Sequence, residues 1–428
     1  MEYTDVINSK YIELLKRSTI FPKFKMELVD RNENTVLKEI IQDIDASNSG
    51  SININYQQGV RMSCTLNLIN DEGLYDLSMG SGYLWMGAKF KLYIGIYDTD
   101  NGDIYWFSEG VYYINNPVDN NNLSEKYITI IGVDKFGFLG SELNYNQLIG
   151  TYHVDANNLI YDVIKSILAL DTGNGFRVDS VEPYLDPLYS EEVLPYTIEK
   201  APGSYLGDIL IELANILGAN IYYDKRGHLV IKSGTIDLAY SREGAIWSFV
   251  DVLPEYMGSN ISYNYSDVVN VVPVVGNNIN DKIYSYIAEN NNPSSPTRIS
   301  LIGRKEMAPV ETSMAYNEER AKDYAEYLLN KKSIVQTLIN FQTSLIPHLD
   351  VDKVCNITDK YYNYEQQRFI IQSINFPLNT TSNTSISASN IASLPYYDLF
   401  EGATINSSNS SDTTDGGDTP LPPPDPVW

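Results

Sequence analysis

The sequence predicts a mainly β protein with an α+β insertion: two antiparallel β-rich domains separated by a small helix–helix–hairpin unit. Three observations predict it. Many short runs alternate apolar and polar residues with period two, and helical spacing of apolar residues is confined to a few segments. Tyrosine, a strong strand former, occurs 34 times against 12 Phe and 4 Trp. The 43% hydrophobic and 20% charged fractions are those of an ordinary folded chain, and 428 residues suffice for roughly two to four domains. The tyrosine excess fits strands half-buried against another subunit; an AT-rich coding bias that raises Tyr, Asn and Ile together fits it equally.

The first domain is expected over 1–150. An amphipathic helix is read over Asp5–Arg17, with Val6, Ile7, Tyr11, Leu14 and Leu15 on one face. Strands follow at Phe24–Val29, Ser51–Tyr56, Cys64–Ile69, Lys89–Tyr97, Ile104–Phe107, Gly110–Ile114 and Lys126–Asp134, with turn residues between them. Strands punctuated in this way make an antiparallel sandwich or barrel.

The pattern changes over 151–240, the expected small α+β domain. Asp155 is read as the N-cap of a helix carrying Leu159, Ile160, Val163, Ile164, Ile167 and Leu168. Ser204 is read as the cap of a second, with Leu206, Ile209, Leu210, Leu213 and Leu217 buried and Gly218 stopping it. A hairpin follows, Ala219–Tyr223 and His228–Lys232 about the turn Asp224–Gly227. Strands return over 241–398, at Asn260–Tyr265, Val268–Val272, Ile334–Phe341, Lys353–Ile357 and Phe369–Ile374. One helix starts at Asn317, and Asn290–Pro293 reads as a turn or exposed loop. The last segment, 399–428, is a Pro/Ser/Asp-rich flexible tail whose Trp428 end is either disordered or docked on a partner.

The composition speaks against several classes of chemistry. A net charge of −25, from 55 acids and 30 bases, disfavours a nucleic-acid grip, which needs Lys and Arg against phosphates. Cys64 and Cys355 read as free thiols of a reduced interior, with a single disulfide the alternative. The N-terminus is acidic without an apolar leader, and no apolar run is long enough to cross a bilayer, so a cytoplasmically made chain without stable membrane association is expected. His153, His228 and His348 each lack a second His or Cys at ligand spacing. No nucleophile-elbow, Walker or dinucleotide glycine pattern occurs, and Gly80-Ser81-Gly82 reads as a turn. Asp350 and Asp352, two apart near a strand start, share a face and would suit a cation or acid–base pair. In a chain this acidic a structural role is the stronger reading. No catalytic, cofactor-binding or metal site is expected.

Three segments carry a resemblance: Gly59–Leu68, Ala201–Leu210 through His228–Ile231, and Glu319–Leu329 followed by Ile346–Val354. In this order they resemble the baseplate or tail hub proteins of tailed phages, which include the central hub of T-even contractile phages and the tail-associated hubs of Gram-positive phages. The likeness spans about residues 20 to 395. That family commonly has Pro-His-Leu-Xaa-Xaa-Gly-Asp where this chain has Pro347-His348-Leu349-Asp350-Val351-Asp352-Lys353, so a locally different turn is expected. The resemblance implies two tail-tube-like β-barrels per subunit and a homotrimer whose six barrels match a sixfold tail tube to a threefold spike or tip. It implies as partners a tail tube or distal tail protein, a central spike or tip protein and a tape measure protein, with DNA only in transit through the lumen. It places the chain in a virion assembled in the host cytoplasm. Acids lining that lumen would repel outgoing DNA. The competing readings are a receptor- or carbohydrate-binding tail protein, disfavoured by the dispersed Trp85, Trp106, Trp247 and Trp428, and a tail-associated lysin.

Overall fold

The computed structural model describes residues 1–390 apart from 42–43, 45–49, 71–74, 76, 78–83, 122–125, 146, 172–176, 234–243, 252, 254–255, 279–280 and 313. The Gly80-Ser81-Gly82 turn and the expected tail at 399–428 lie outside the described residues.

The chain opens with β1 (Glu2–Thr4), not with a helix reaching back to Asp5. Asp5 takes φ 52, which ends the strand, and its carboxylate accepts the backbone N–H of Ser108 at 3.0 Å. Helix α1 (Ser9–Leu15) begins only after Asn8, whose side chain accepts from the N–H of Tyr11. The expected helix over Asp5–Arg17 is therefore shorter at both ends, and Val6 and Ile7 stay exposed.

Seven strands follow: β2 (Pro22–Val29), β3 (Val36–Ile40), β4 (Gly50–Asn55), β5 (Met62–Ile69), β6 (Lys89–Tyr97), β7 (Ile104–Asn121) and β8 (Lys126–Asp134). They pair in the antiparallel order β3-β2-β6-β7-β8-β5-β4. An isolated bridge, Ile44 to Leu68, brings the chain just beyond β3 back onto β5 and closes the ring. The strands expected at Ile104–Phe107 and Gly110–Ile114 are one, because pairing with β6 runs on across a bulge between Lys91 and Tyr93. Strand β3 was not anticipated; its largely exposed run offers no buried alternation.

The small domain is built from α2 (Phe136–Leu139), β9 (Tyr152–Val154), α3 (Ile160–Leu168), β10 (Tyr184–Leu185), β11 (Ile198–Lys200), α4 (Leu206–Leu217), β12 (Ala219–Tyr223) and β13 (Leu229–Ser233). Asp155 does not cap α3. Asn157 sits at φ 67, which delays the helix to Ile160, and Asp155 instead faces the exposed His153. The cap of α4 lies one residue beyond Ser204, at Tyr205, whose N–H donates to Asp208 at 3.1 Å. Gly218 ends α4 at φ 63, the left-handed position that favours glycine. The apolar faces of α3 and α4 share a core with the β12–β13 hairpin.

Next come β14 (Trp247–Val250), β15 (Met257–Asn264), β16 (Val271–Gly276), β17 (Ser285–Glu289), α5 (Ile299–Ile302), β18 (Val310–Thr312) and α6 (Glu318–Lys332). The chain then continues through β19 (Gln336–Thr343), β20 (Val354–Asp359), β21 (Tyr364–Leu378) and β22 (Thr384–Asn390). Helix α6 starts as expected, with the Asn317 side chain accepting from the N–H of Arg320 at 2.8 Å. It packs on its own three-stranded sheet, β17-β16-β18, through Ala321, Ala325 and Leu329. The Asn290–Pro293 turn is exposed over Asn291, Asn292 and Pro293, while the buried Asn290 side-chain amide donates to Ser295 and Thr297 and ties it to this unit. The other strands pair in the order β14-β20-β21-β22-β19-β15, and its two ends are joined by residues 251–256.

Strand β21 links the two sheets. Its first part pairs with β20; beyond a bulge between Ile371 and Ser373 it pairs with β4, from Ser373 opposite Asn55 to Leu378 opposite Gly50. Both strand systems therefore form one sheet over one core, in which Ile52, Leu66, Ile374, Phe376 and Ile386 meet. The fold is mainly β, with large antiparallel sheets and a few helices.

Candidate functional site

The residues singled out for chemistry do not converge. His153 is an exposed neighbour of Asp155 on β9, and His228 sits beside Asp224 in the hairpin turn. His348 is the buried one: Nδ1 lies 2.9 Å from the Tyr11 hydroxyl, and the ring meets Trp247 edge-on. Burial, then the nearby Lys225 charge, lowers it to about 4. Cys64 and Cys355 are free and buried, on different strands; burial raises both thiols, Cys355 to about 12, which keeps them unreactive core residues. Among the described residues no group of three or more His, Cys, Asp or Glu could hold a metal ion.

Asp350 and Asp352 also diverge in role. Asp350 caps its own turn, accepting the N–H of Val351 at 2.8 Å, and lines a cleft with His348 and Arg226. Asp352 is buried and ion-paired with Lys232 of β13. It takes φ 63. An aspartate thus holds a left-handed position in the turn into β20, a conformation that favours glycine. Asp352→Gly is expected to hold the turn while losing the ion pair. Asp352→Val, strained at that φ as well, is expected to be less stable than the glycine variant by about 1–3 kcal/mol in urea unfolding.

Three polar clamps fix the helix–hairpin segment to the large sheet. In the hairpin turn, Asp224 accepts the N–H of Arg226 and His228, and Gly227 stands at φ 85 against Val111. That turn aims Lys225 into the junction of the two sheets. Its Nζ lies 2.6 Å from Glu109 of β7 and within 3.2 Å of the Pro347 and Leu349 carbonyls. Glu109 is fully buried, and burial pushes it up to about 8 against the opposing pull of Lys225. Lys135, just past β8, meets Glu33 at 2.8 Å and Asp179 at 2.9 Å and donates to the Gly227 carbonyl. Tyr223 donates to the same Asp179. Burial acts to raise Glu33, but Lys135 and Lys89 overcome it and hold the carboxyl below its ordinary value. Finally, the buried Arg61 lies 3.3 Å over the Tyr222 ring. Asp134 accepts the N–H groups of Arg61, Met62 and Phe136; burial still lifts it to about 6. Sequence reading missed all three clamps; their one visible signal was the Asp224–Gly227 turn that carries Lys225.

One sheet face is open to solvent. Across β15, β19, β22, β21 and β4, inward positions carry Ile339, Phe341, Ile386, Ile374 and Ile54, all buried. Outward positions carry Asn260, Asn340, Gln342, Ser385, Ser387, Ser373, Asn375, Asn53 and Asn55. These line a concave groove of about 550 Å³. Cross-strand amide pairs bind its floor: Asn340 donates to Asn260, and Asn375 to Asn53. The face runs on over β5 and β8, where Thr129 donates to Asn67. Strands β4, β5, β15, β19 and β22 contain no Asp, Glu, Lys, Arg or His, although 20% of the chain is charged; β21 carries Glu365 and Arg368 only in the part that pairs with β20, before Ser373.

No protein-family model and no curated protein gives a significant match. Solved structures do. The tail protein from Neisseria meningitidis MC58 aligns at TM-score 0.56 and 13% identity, covering 86% of this chain and 95% of that one. The 43 kDa tail protein of prophage MuSo2 from Shewanella oneidensis aligns at 0.54 and 12%, covering 86% and 98%. A chain of the half-lidded Francisella PdpA-VgrG complex aligns at 0.50 and 11%, covering 89% and 60%. At these identities the likeness establishes architecture: the chain has the fold of phage-type tail proteins.

Proposed function

We propose that this chain is a structural hub subunit of a phage-type tail or baseplate, and that three copies close into a ring between a sixfold tail tube and a threefold spike or tip. The observation that carries the reading is the β21–β4 pairing, which sets two barrel modules side by side in one polypeptide. A heterologous ring closes when each step turns by a fixed fraction, and paired modules let a three-membered ring present six similar units. The division 1–150, 151–240 and 241–398, with a tail at 399–428, belongs to the same reading. The fold shared with two tail proteins, one of them from a prophage, supports it. Partners are then the tail tube or distal tail protein above, the spike or tip below and the tape measure protein. DNA passes through the lumen, and the subunit sits in the virion after assembly in the host cytoplasm. On this reading the role is structural, with the polar groups described above serving clamps and a sheet face.

Native mass measurement of the complex extracted from tails tests the ring. Three copies are expected; a monomeric or hexameric hub would refute it. A peptidoglycan-degradation assay on the purified chain is expected to show no activity.

A further inference from the structure

We infer that the concave face of β15, β19, β22, β21 and β4 is the wall of the passage, and that this wall is hydrogen-bonding but uncharged. The inference rests on the ring reading and adds to it which surface faces the axis and what chemistry the polymer meets.

Three observations on the face converge. It is continuous across the boundary between the two strand systems, because β21 pairs with β22 along one edge and, from Ser373 onward, with β4 along the other. A surface common to both modules is the one that can run unbroken around a ring. Its curvature is open to solvent on the side away from the core, as the 550 Å³ groove records, so the centre of curvature lies on the polar side. In a closed ring that side faces inward. Its composition is the third observation: amides and hydroxyls fill every outward position named above, in a chain of net charge −25.

The chemistry fits a nucleic acid in transit. A lysine or arginine on the wall would displace counterions from phosphates and hold the strand. A carboxylate on the wall would repel it and concentrate counterions in the lumen. Asn, Ser and Gln offer short-lived hydrogen bonds of similar strength at every step, and cross-strand pairs such as Asn340–Asn260 satisfy part of that capacity internally. The net charge alone suggested an acidic lining; the face assigned to the wall would give an uncharged one instead.

Single cysteines at Ser387 and Asn53 test this, since both native thiols are buried and silent. Neither site belongs to the core, so folding is retained. In the isolated subunit both cysteines are expected to react with N-ethylmaleimide and with a bulky polyethylene-glycol maleimide. In tails that have released their DNA, both are expected to react with the small reagent and be protected from the bulky one. Bulky labelling of assembled tails would put the face outside and overturn the inference. Loss of small-reagent labelling would do the same, by showing the face covered by a protein partner or a neighbouring copy. A second measurement uses Ser387→Lys with Asn53→Lys. Tails of unchanged composition that release DNA several-fold more slowly are expected; an unchanged release rate would overturn the inference. A hub that is not trimeric by mass fails the ring reading independently of either labelling result.

Discussion

Lys135→Met is expected to lower the unfolding free energy by about 3–5 kcal/mol, the cost of leaving buried charges without their partner. Lys135, Glu33 and Asp179 are at most 4% exposed, so water does not replace the lost cation. Methionine preserves most of the apolar stem, which isolates the charge from the packing. The double variant Lys135→Met with Asp179→Asn is expected to recover more than about 1 kcal/mol of the loss, since asparagine removes the stranded charge while still accepting from Tyr223. Urea unfolding of the four proteins gives the cycle. A loss below about 1 kcal/mol for the single variant would mean that the cluster is hydrated and clamps nothing. The same cluster adds a pH dependence on the acid side. Glu33 is held below its unfolded value, so its contribution is complete above that value and is lost as pH falls through the folded one.

Much of the strand inventory was legible because burial on one side of a sheet imposes period two. Lys89–Tyr97 and Lys126–Asp134 were read to the residue, and the Asn317 cap and the Gly218 stop were read from local chemistry alone. What stayed hidden depends on contacts distant in sequence. Glu109-Gly110 looks like a break between strands; only pairing with β6 and the buried Lys225 contact turn it into the middle of β7. Strands β17 and β18, and so the separate unit they make with β16 and α6, escaped notice because they are short and lie between Asn-rich turns. Asp352 is not a glycine, yet its backbone is left-handed. The uncharged face is legible strand by strand as Asn and Ser alternating with Ile, but its continuity needs the β21–β4 register, which no local pattern encodes.

Glu109→Gln is expected to remove a stability loss that the parent protein suffers between about pH 5 and pH 8. The unfolded glutamate ionises near ~4.3, whereas the folded one ionises only near about 8. Between these values the native state holds one proton more than the unfolded state, so rising pH favours unfolding. The slope approaches about 1.4 kcal/mol per pH unit, and the loss is complete above the folded value. Burial is the cause, and Oε1 of Glu109 has no hydrogen-bond partner among the described residues to offset it. Glutamine keeps an acceptor for Lys225, whose other bonds to the Pro347 and Leu349 carbonyls are untouched. The difference in unfolding free energy between variant and parent should therefore grow in the variant's favour from pH 5 to pH 8. Parallel profiles would mean that Lys225 keeps Glu109 ionised throughout. Lys225→Met separates the two terms: with the cation gone, the carboxyl is expected to ionise at still higher pH. The hairpin tip then also loses its hold on both sheets, because one ammonium group bonds β7 and the loop before β20 together.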